Sequence, residues 1–140
     1  IDEYQILESK VYNADCILLI VSILTNNELK KYIKIAEEVD LDCIIETHNE
    51  EEINRAMDIG YPIVGINNRN LKNLSIDIDN TLNLFNKFND NYTVIGESGI
   101  KSTADIKRYN DLGVYNFLIG ETLLKSENQE ETIKKFLTND

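Results

Sequence analysis

The chain has 140 residues, 42% of them hydrophobic, which is the length and composition of one domain with a core of its own. A formal net charge of −11 excludes a nucleic-acid or anionic-membrane surface, because phosphate contacts are made by clustered Lys and Arg. No apolar run reaches the roughly 18 residues of a membrane span, and no charged-then-apolar leader is present, so a soluble, cytoplasmic protein is expected.

Asp2, with Gln5 three residues on, resembles a helix cap, and Tyr4, Leu7, Val11 and Ala14 then recur on one helical face. Cys16 to Val21 is a continuous apolar run of strand length, the pattern of a strand covered on both faces. Thr25 with Glu28 makes a capping box for a helix lined by Leu29, Ile33 and Ala36, which ends near Asp40. Cys43 to Thr47 is the second strand. Asn49 and Glu52 start a helix that carries Ile53, Ala56 and Met57, and Gly60 closes it as a left-handed cap.

The β-branched Ile63, Val64 and Ile66 read as a third strand that breaks abruptly into Asn67, Asn68, Arg69 and Asn70. Ile78, Leu82, Phe85 and Phe88, preceded by Asp77, have helical spacing, and Asn89, Asp90 and Asn91 supply a turn. Tyr92 to Ile95 is the fourth strand. Ser102 or Thr103 caps a helix with Ile106, Tyr109 and Leu112, stopped by Gly113. Phe117 to Ile119 is the fifth strand, and a last helix carries Ile133, Phe136 and Leu137.

The order is α(βα)5, an alternation that means a parallel sheet with right-handed crossovers. Two architectures share this pattern: a partial (β/α)8 barrel of the TIM type and a flavodoxin-like doubly wound sheet. In both, ligands lie beyond the carboxyl ends of the strands. Three such ends carry polar groups here, at Glu46-Thr47-His48, Asn67-Asn68-Arg69 and Glu97-Ser98-Gly99, and together they suggest one site.

Taken in order, Ala14-Asp15-Cys16-Ile17-Leu18-Leu19-Ile20-Val21, Glu46-Thr47-His48, Gly65-Ile66-Asn67-Asn68-Arg69, Glu97-Ser98-Gly99-Ile100 and Phe117-Leu118-Ile119-Gly120-Glu121 resemble indole-3-glycerol-phosphate synthase along the whole chain. The resemblance implies that residues 1–140 are a single domain, the C-terminal portion of a TIM barrel from its third helix onward. It implies a carboxy-lyase of tryptophan biosynthesis that closes the indole ring of a carboxyphenylamino-deoxyribulose phosphate with decarboxylation and dehydration, using no cofactor and no metal.

Residue by residue, the resemblance assigns catalysis to Glu46, as base or charge stabiliser, and to Asn67 as a hydrogen-bonding group. It assigns substrate binding to Leu18 as an apolar wall, to Arg69, and to the phosphate grip of Ser98, Gly99, Gly120 and Glu121, the last through its amide. Backbone N–H groups of tight turns suit an anion at this end of a barrel. Asn70 stands where the family often carries Asp. The family's catalytic lysines belong to its first and third strands and have no counterpart here; Lys101 is expected to face solvent. The piece is therefore expected to be inactive alone, for want of a proton donor. A chain without an initial Met also reads as part of something longer.

Other features have plainer readings. His48, alone, reads as a hydrogen-bonded structural residue, and Glu50-Glu51-Glu52 as a solvated helix start that complements the macrodipole. Cys16 and Cys43 are expected to be buried, reduced thiols. Glu97-Ser98-Gly99 lacks a nucleophile-elbow pattern, which argues against a hydrolase, and paired acids of a phosphoribosyl isomerase are not found. A non-catalytic assembly module is a separate possibility, since the apolar edges Cys16 to Val21 and Phe117 to Ile119 carry no blunting charge and invite self-association.

Overall fold

The computed structural model describes residues 1–138. Its strands are β1 (Cys16–Ile20), β2 (Asp42–Thr47), β3 (Ile63–Asn67), β4 (Thr93–Glu97) and β5 (Asn116–Leu118). Its helices are α1 (Glu3–Val11), α2 (Asn26–Glu38), α3 (Glu50–Ile59), α4 (Asp79–Leu84), α5 (Thr103–Asn110), α6 (Glu121–Lys125) and α7 (Gln129–Thr138). The five parallel strands form one sheet in the order β1-β2-β3-β4-β5. A doubly wound sheet of the flavodoxin type reverses its order near one edge, as 2-1-3-4-5, whereas a strictly sequential order is that of a (β/α)8 barrel. The fold is a partial barrel. By compactness the chain falls into two units, Ile1–Gly65 and Ile66–Asp140, the boundary lying inside β3.

In the first unit the local signals act as they stand in the sequence. Thr25 Oγ1 accepts from Glu28 N while Glu28 Oε2 accepts from Thr25 N, which is the capping box of α2. Asn49 Oδ1 accepts from Glu52 N at the start of α3, and Gly60 closes that helix at φ +80°. β1 and β2 pair in parallel with Leu18 opposite Ile44 and Ile20 opposite Glu46. Alternation then sends Cys43, Ile45 and Thr47 into the packed side, all fully buried, and puts Leu18, Ile20, Ile44 and Glu46 together on the other face. Arg55 of α3 ties down the segment after β1, donating to Val21 O at 3.0 Å, Leu24 O at 2.6 Å and Asn26 Oδ1 at 2.8 Å.

The second unit packs around Ile100, Ile106, Tyr109 and Val114, with Ile78, Leu82, Phe85, Phe117, Ile119 and Phe136 against them. Tyr109 meets Phe117 edge to face with centroids 5.6 Å apart. β4 and β5 pair with Gly96 opposite Phe117 and Glu97 opposite Leu118. Gly96 faces this cluster: a Cβ on it would lie 3.4 Å from the Tyr109 ring. Its neighbour Glu97 must point the other way.

Several sequence expectations need correction. Tyr4, Leu7 and Val11 are exposed, and α1 buries Ile6 instead. Leu112 is exposed because α5 ends at Asn110, before the helical face reaches it. Ile133 and Leu137 are exposed, while Phe136 alone of the three joins the cluster. Cys16 is exposed, at the outer end of β1, and Cys43 is buried. A short helix, α6, precedes the last one; its five residues are too few to show a period. No helix among the described residues is long and apolar enough to cross a membrane.

Candidate active site

In the second unit, the polar residues at the ends of β3 and β4 are joined by one buried side chain. Asn68, 3% exposed, donates through Nδ2 to Ser98 O at 2.9 Å and to the Tyr109 hydroxyl at 2.7 Å. Its Oδ1 accepts from Thr81 N at 3.1 Å and Thr81 Oγ1 at 2.9 Å. Tyr109 passes its own proton to Ile78 O at 3.0 Å, and burial pushes this phenol's pKa up. Every donor and acceptor of the Asn68 amide is used, as a buried polar group requires. Because the backbone N–H of Asn68 also reaches Glu97 O at 2.9 Å, the two strand ends are held in register.

This brace sets up an unusual turn. Ser98 has φ +65° and Gly99 φ +82°, two successive residues in the left-handed region. A Cβ on Gly99 would come within 2.5 Å of Ile76 Cγ2, so the loop after β3 closes directly over the glycine. Arg69 and Ile76 pair across that loop as an antiparallel bridge. Arg69, Ser98, Gly99, Ile100, Gly120 and Glu121 line one cavity of about 190 Å³. The Arg69 guanidinium crosses to Glu121, Nη2 to Oε2 at 2.6 Å, and Lys125 reaches the other oxygen of that carboxylate at 2.6 Å. Lys125 first, and Arg69 second, hold the Glu121 carboxyl below its ordinary range.

Asn67, at the end of β3, is 8% exposed and its Oδ1 accepts from Arg69 N at 2.9 Å. In the first unit Glu46 ends β2, 5% exposed, on the face it shares with Leu18, which is 36% exposed two register steps back. His48 Nε2 lies 3.3 Å from Glu46 Oε1, and His48 Nδ1 3.1 Å from Glu52 Oε2. Among the described residues no group of His, Cys, Asp and Glu is arranged to hold a metal ion.

The sequence profile described as indole-3-glycerol phosphate synthase matches residues 1–136. The chain belongs to this family. Relatives described as indole-3-glycerol phosphate synthase include that of Clostridium kluyveri, 49% identical over 137 residues, covering 98% of this chain and 52% of the relative. That of Acetivibrio thermocellus is 44% identical over 136 residues, covering 97% and 52%. The chain thus spans about half the length of the curated relatives it matches. Among solved structures, 3-hexulose-6-phosphate synthase from Salmonella typhimurium superimposes with a TM-score of 0.81 at 12% identity, covering 98% of this chain and 66% of that one. KGPDC from Streptococcus mutans gives 0.70 at 17% identity, covering 98% and 65%. At such identities the likeness is one of fold, and it agrees with the barrel-type strand order.

Against this family membership, the residues singled out in the sequence fall into two groups. Arg69, Ser98, Gly99, Gly120 and Glu121 come together on one cavity, and Leu18 and Glu46 share one strand face. Arg69 pairs with the carboxylate of Glu121. Lys101 is exposed, as its place before the α5 cap suggested.

Three residues carry more than the sequence alone indicates. Asn68 is one letter of a motif, yet it holds the site together. Glu97 is 2% exposed at the end of β4, a buried acid beside the Ser98 turn, and the Glu-Ser-Gly phrase is its signal. Glu52 is 9% exposed and not a solvated helix start, because His48 and Asn49 fold back onto it, whereas Glu50 and Glu51 are exposed.

Proposed function

We propose that this chain supplies the phosphate grip and one carboxylate of an indole-3-glycerol phosphate synthase. The reaction is the ring closure of a carboxyphenylamino-deoxyribulose phosphate, with decarboxylation and dehydration, in tryptophan biosynthesis. The observation that carries this reading is the single cavity lined by Arg69, Ser98, Gly99, Gly120 and Glu121. A turn with two left-handed residues exposes backbone N–H groups, which suit a dianionic phosphate, and the Arg69 guanidinium adds a charge-assisted donor. The name of the Salmonella typhimurium neighbour, 3-hexulose-6-phosphate synthase, fits a phosphorylated small molecule on such a fold.

In this reading Glu46 acts on the reacting atoms as a base or as the counter-charge to the ring-closing cation, and Asn67 hydrogen-bonds the substrate. Leu18, on the Glu46 face, is the wall against the aromatic ring. All of residues 1–140 serve one domain, the C-terminal portion of a barrel. The proton donor to the ketose oxygen comes from outside these residues, so the chain by itself turns over at least about 100-fold more slowly than a whole synthase. The test is an indole-formation assay of the chain alone, and again after mixing with the part of the Clostridium kluyveri relative that it does not match. Activity restored by mixing is expected; near-normal activity of the chain alone refutes the missing-donor reading, and no activity in any combination refutes the enzymatic one.

A second reading rests on a different observation. β1 and β5 are the end strands of the sheet, and both leave leucines open, Leu18 and Leu118. We infer that the chain self-associates through these edges. Light scattering at working concentration is expected to give a species larger than the 16.1 kDa monomer, and a clean monomer excludes it.

A further inference from the structure

The groups around Asn68 leave its amide only one orientation. Its Oδ1 meets Thr81 N, which can only donate, and its Nδ2 meets Ser98 O, which can only accept. Tyr109 is fixed in the same way. Ile78 O can only accept, so the phenol proton goes there at 3.0 Å, and a phenol lone pair faces Asn68 Nδ2 at 2.7 Å. The two N–H groups of one amide are thus divided between the Tyr109 hydroxyl and Ser98 O. At 3% exposure, with both ends of its amide engaged, the Asn68 side chain acts on a ligand only through the turn it holds.

That turn needs a hold. Ser98 at φ +65° is an L-residue in the left-handed region, and Gly99 follows it at φ +82°. The backbone of Asn68 grips the same place: its N–H reaches Glu97 O at 2.9 Å, and Asp77 N returns to its carbonyl at 3.0 Å, next to the Ile76 side chain that closes over Gly99.

We propose that Asn68 and Tyr109 are positioning residues for the phosphate site. They pin Ser98 O on the buried side of the turn, and because a trans peptide sets its N–H opposite its C=O, the Gly99 N–H is aimed at the cavity that Ser98 and Gly99 line. The inference rests on the phosphate role proposed above for this turn. A donor fixed before the anion arrives costs no reorganisation when it binds. Tyr109 belongs to the buried cluster with Ile100, Ile106 and Val114, and its ring packs on Phe117. The seating of α5 on the core therefore sets the direction of a backbone donor at the end of β4.

The experiment titrates the isotope-labelled chain with inorganic phosphate and follows the Gly99 and Gly120 amides and the Ser98 carbonyl carbon by NMR. Tyr109→Phe keeps the ring in the core and removes the acceptor; it is expected to move the Ser98 carbonyl signal before phosphate is added and to weaken phosphate binding about five-fold. Asn68→Leu should do both more strongly. Ile106→Val, a loss of core packing in α5 that leaves the brace intact, is the control and should leave the affinity within about two-fold. In the mixed assay Tyr109→Phe is expected to raise KM with kcat within about two-fold. An unmoved Ser98 carbonyl in Tyr109→Phe and Asn68→Leu overturns the proposal, as does equal weakening by Ile106→Val. If the unsubstituted chain binds phosphate and both brace variants bind it equally well, the positioning role fails and the phosphate grip stands. If phosphate shifts neither glycine amide of the unsubstituted chain while the Ser98 carbonyl moves in Tyr109→Phe, the grip fails and the pinned peptide stands.

Discussion

Arg69 Nη2 donates to Glu121 Oε2 at 2.6 Å, joining the loop after β3 to the first residue of α6 across 52 positions of sequence. Both side chains line the cavity proposed for phosphate, so the carboxylate occupies the guanidinium that an incoming anion would use. Glu121→Gln is therefore expected to tighten inorganic phosphate binding to the chain roughly two- to five-fold, the worth of a solvent-accessible ion pair. Shifts of the Gly99 and Gly120 amides on titration with phosphate give the affinity, and weaker binding by the variant would show that the carboxylate helps the site.

The same pair has a defined pH response. Lys125 and then Arg69 hold the Glu121 carboxyl below its ordinary 4.5, so the folded value is depressed. The pair's contribution to stability is present above 4.5 and lost as pH falls through the lower folded value. Following the Glu121 side-chain carbon should give a midpoint below 4.5 that returns toward it in Lys125→Ala, with a smaller return in Arg69→Ala.

Asn68→Ala removes a side chain whose four hydrogen bonds are all inside the protein. It leaves Thr81 N and the Tyr109 hydroxyl short of a partner, and the expected loss is about 2–4 kcal/mol in urea unfolding. Tyr109→Phe, which deletes one acceptor of Asn68 and the donor to Ile78 O, should cost about 1–2 kcal/mol. A loss under about 0.5 kcal/mol for Asn68→Ala would mean the brace does not hold the strand ends.

Gly99→Ala meets two penalties, a left-handed backbone at φ +82° and a Cβ 2.5 Å from Ile76 Cγ2. The backbone penalty is about 1–2 kcal/mol, and the clash with a stiff β-branched side chain adds to it. Adding Ile76→Ala should relieve the clash and leave the backbone share, a partial rescue visible in the unfolding midpoint. The single variant is also expected to lose phosphate binding, since the turn must move.

The two thiols should differ sharply in reactivity. Burial pushes the Cys43 pKa up to about 12, and its residue is closed to solvent, whereas Cys16 is exposed with a pKa raised first by burial and then by Asp42. Iodoacetamide at pH 8 should label Cys16 slowly in the folded chain and Cys43 only after denaturation. Mass spectrometry of the digested product distinguishes them, and equal labelling would contradict the burial of β2.

Much of this was legible before folding was considered. The capping pair Thr25 with Glu28 marks a helix start because each side chain bonds to a backbone group three residues away, and Gly60 marks an end through a φ that other residues resist; that Ser102 and not Thr103 caps α5, paired with Asp105, came from the structure. Strand positions follow from apolar runs, with β5 shifted by one residue and β1 ending one residue early, errors of the size that fraying ends produce. Five of the residues that the family resemblance singles out, Arg69, Ser98, Gly99, Gly120 and Glu121, line one cavity because they stand at or just beyond strand ends.

What the chain order determined, then, is the alternation of strand and helix and the identity of the polar groups at the strand ends, both written within a few residues of each other. Only the tertiary structure decided which of the distant groups meet: Glu121 with Arg69, and Asn68 with Tyr109 and Thr81. The reason is physical. A cap or a strand is a local balance of backbone hydrogen bonds and side-chain burial, whereas a partner for a buried charge is chosen by whichever side chain packing brings within about 3 Å, and neither sequence spacing nor composition encodes that distance.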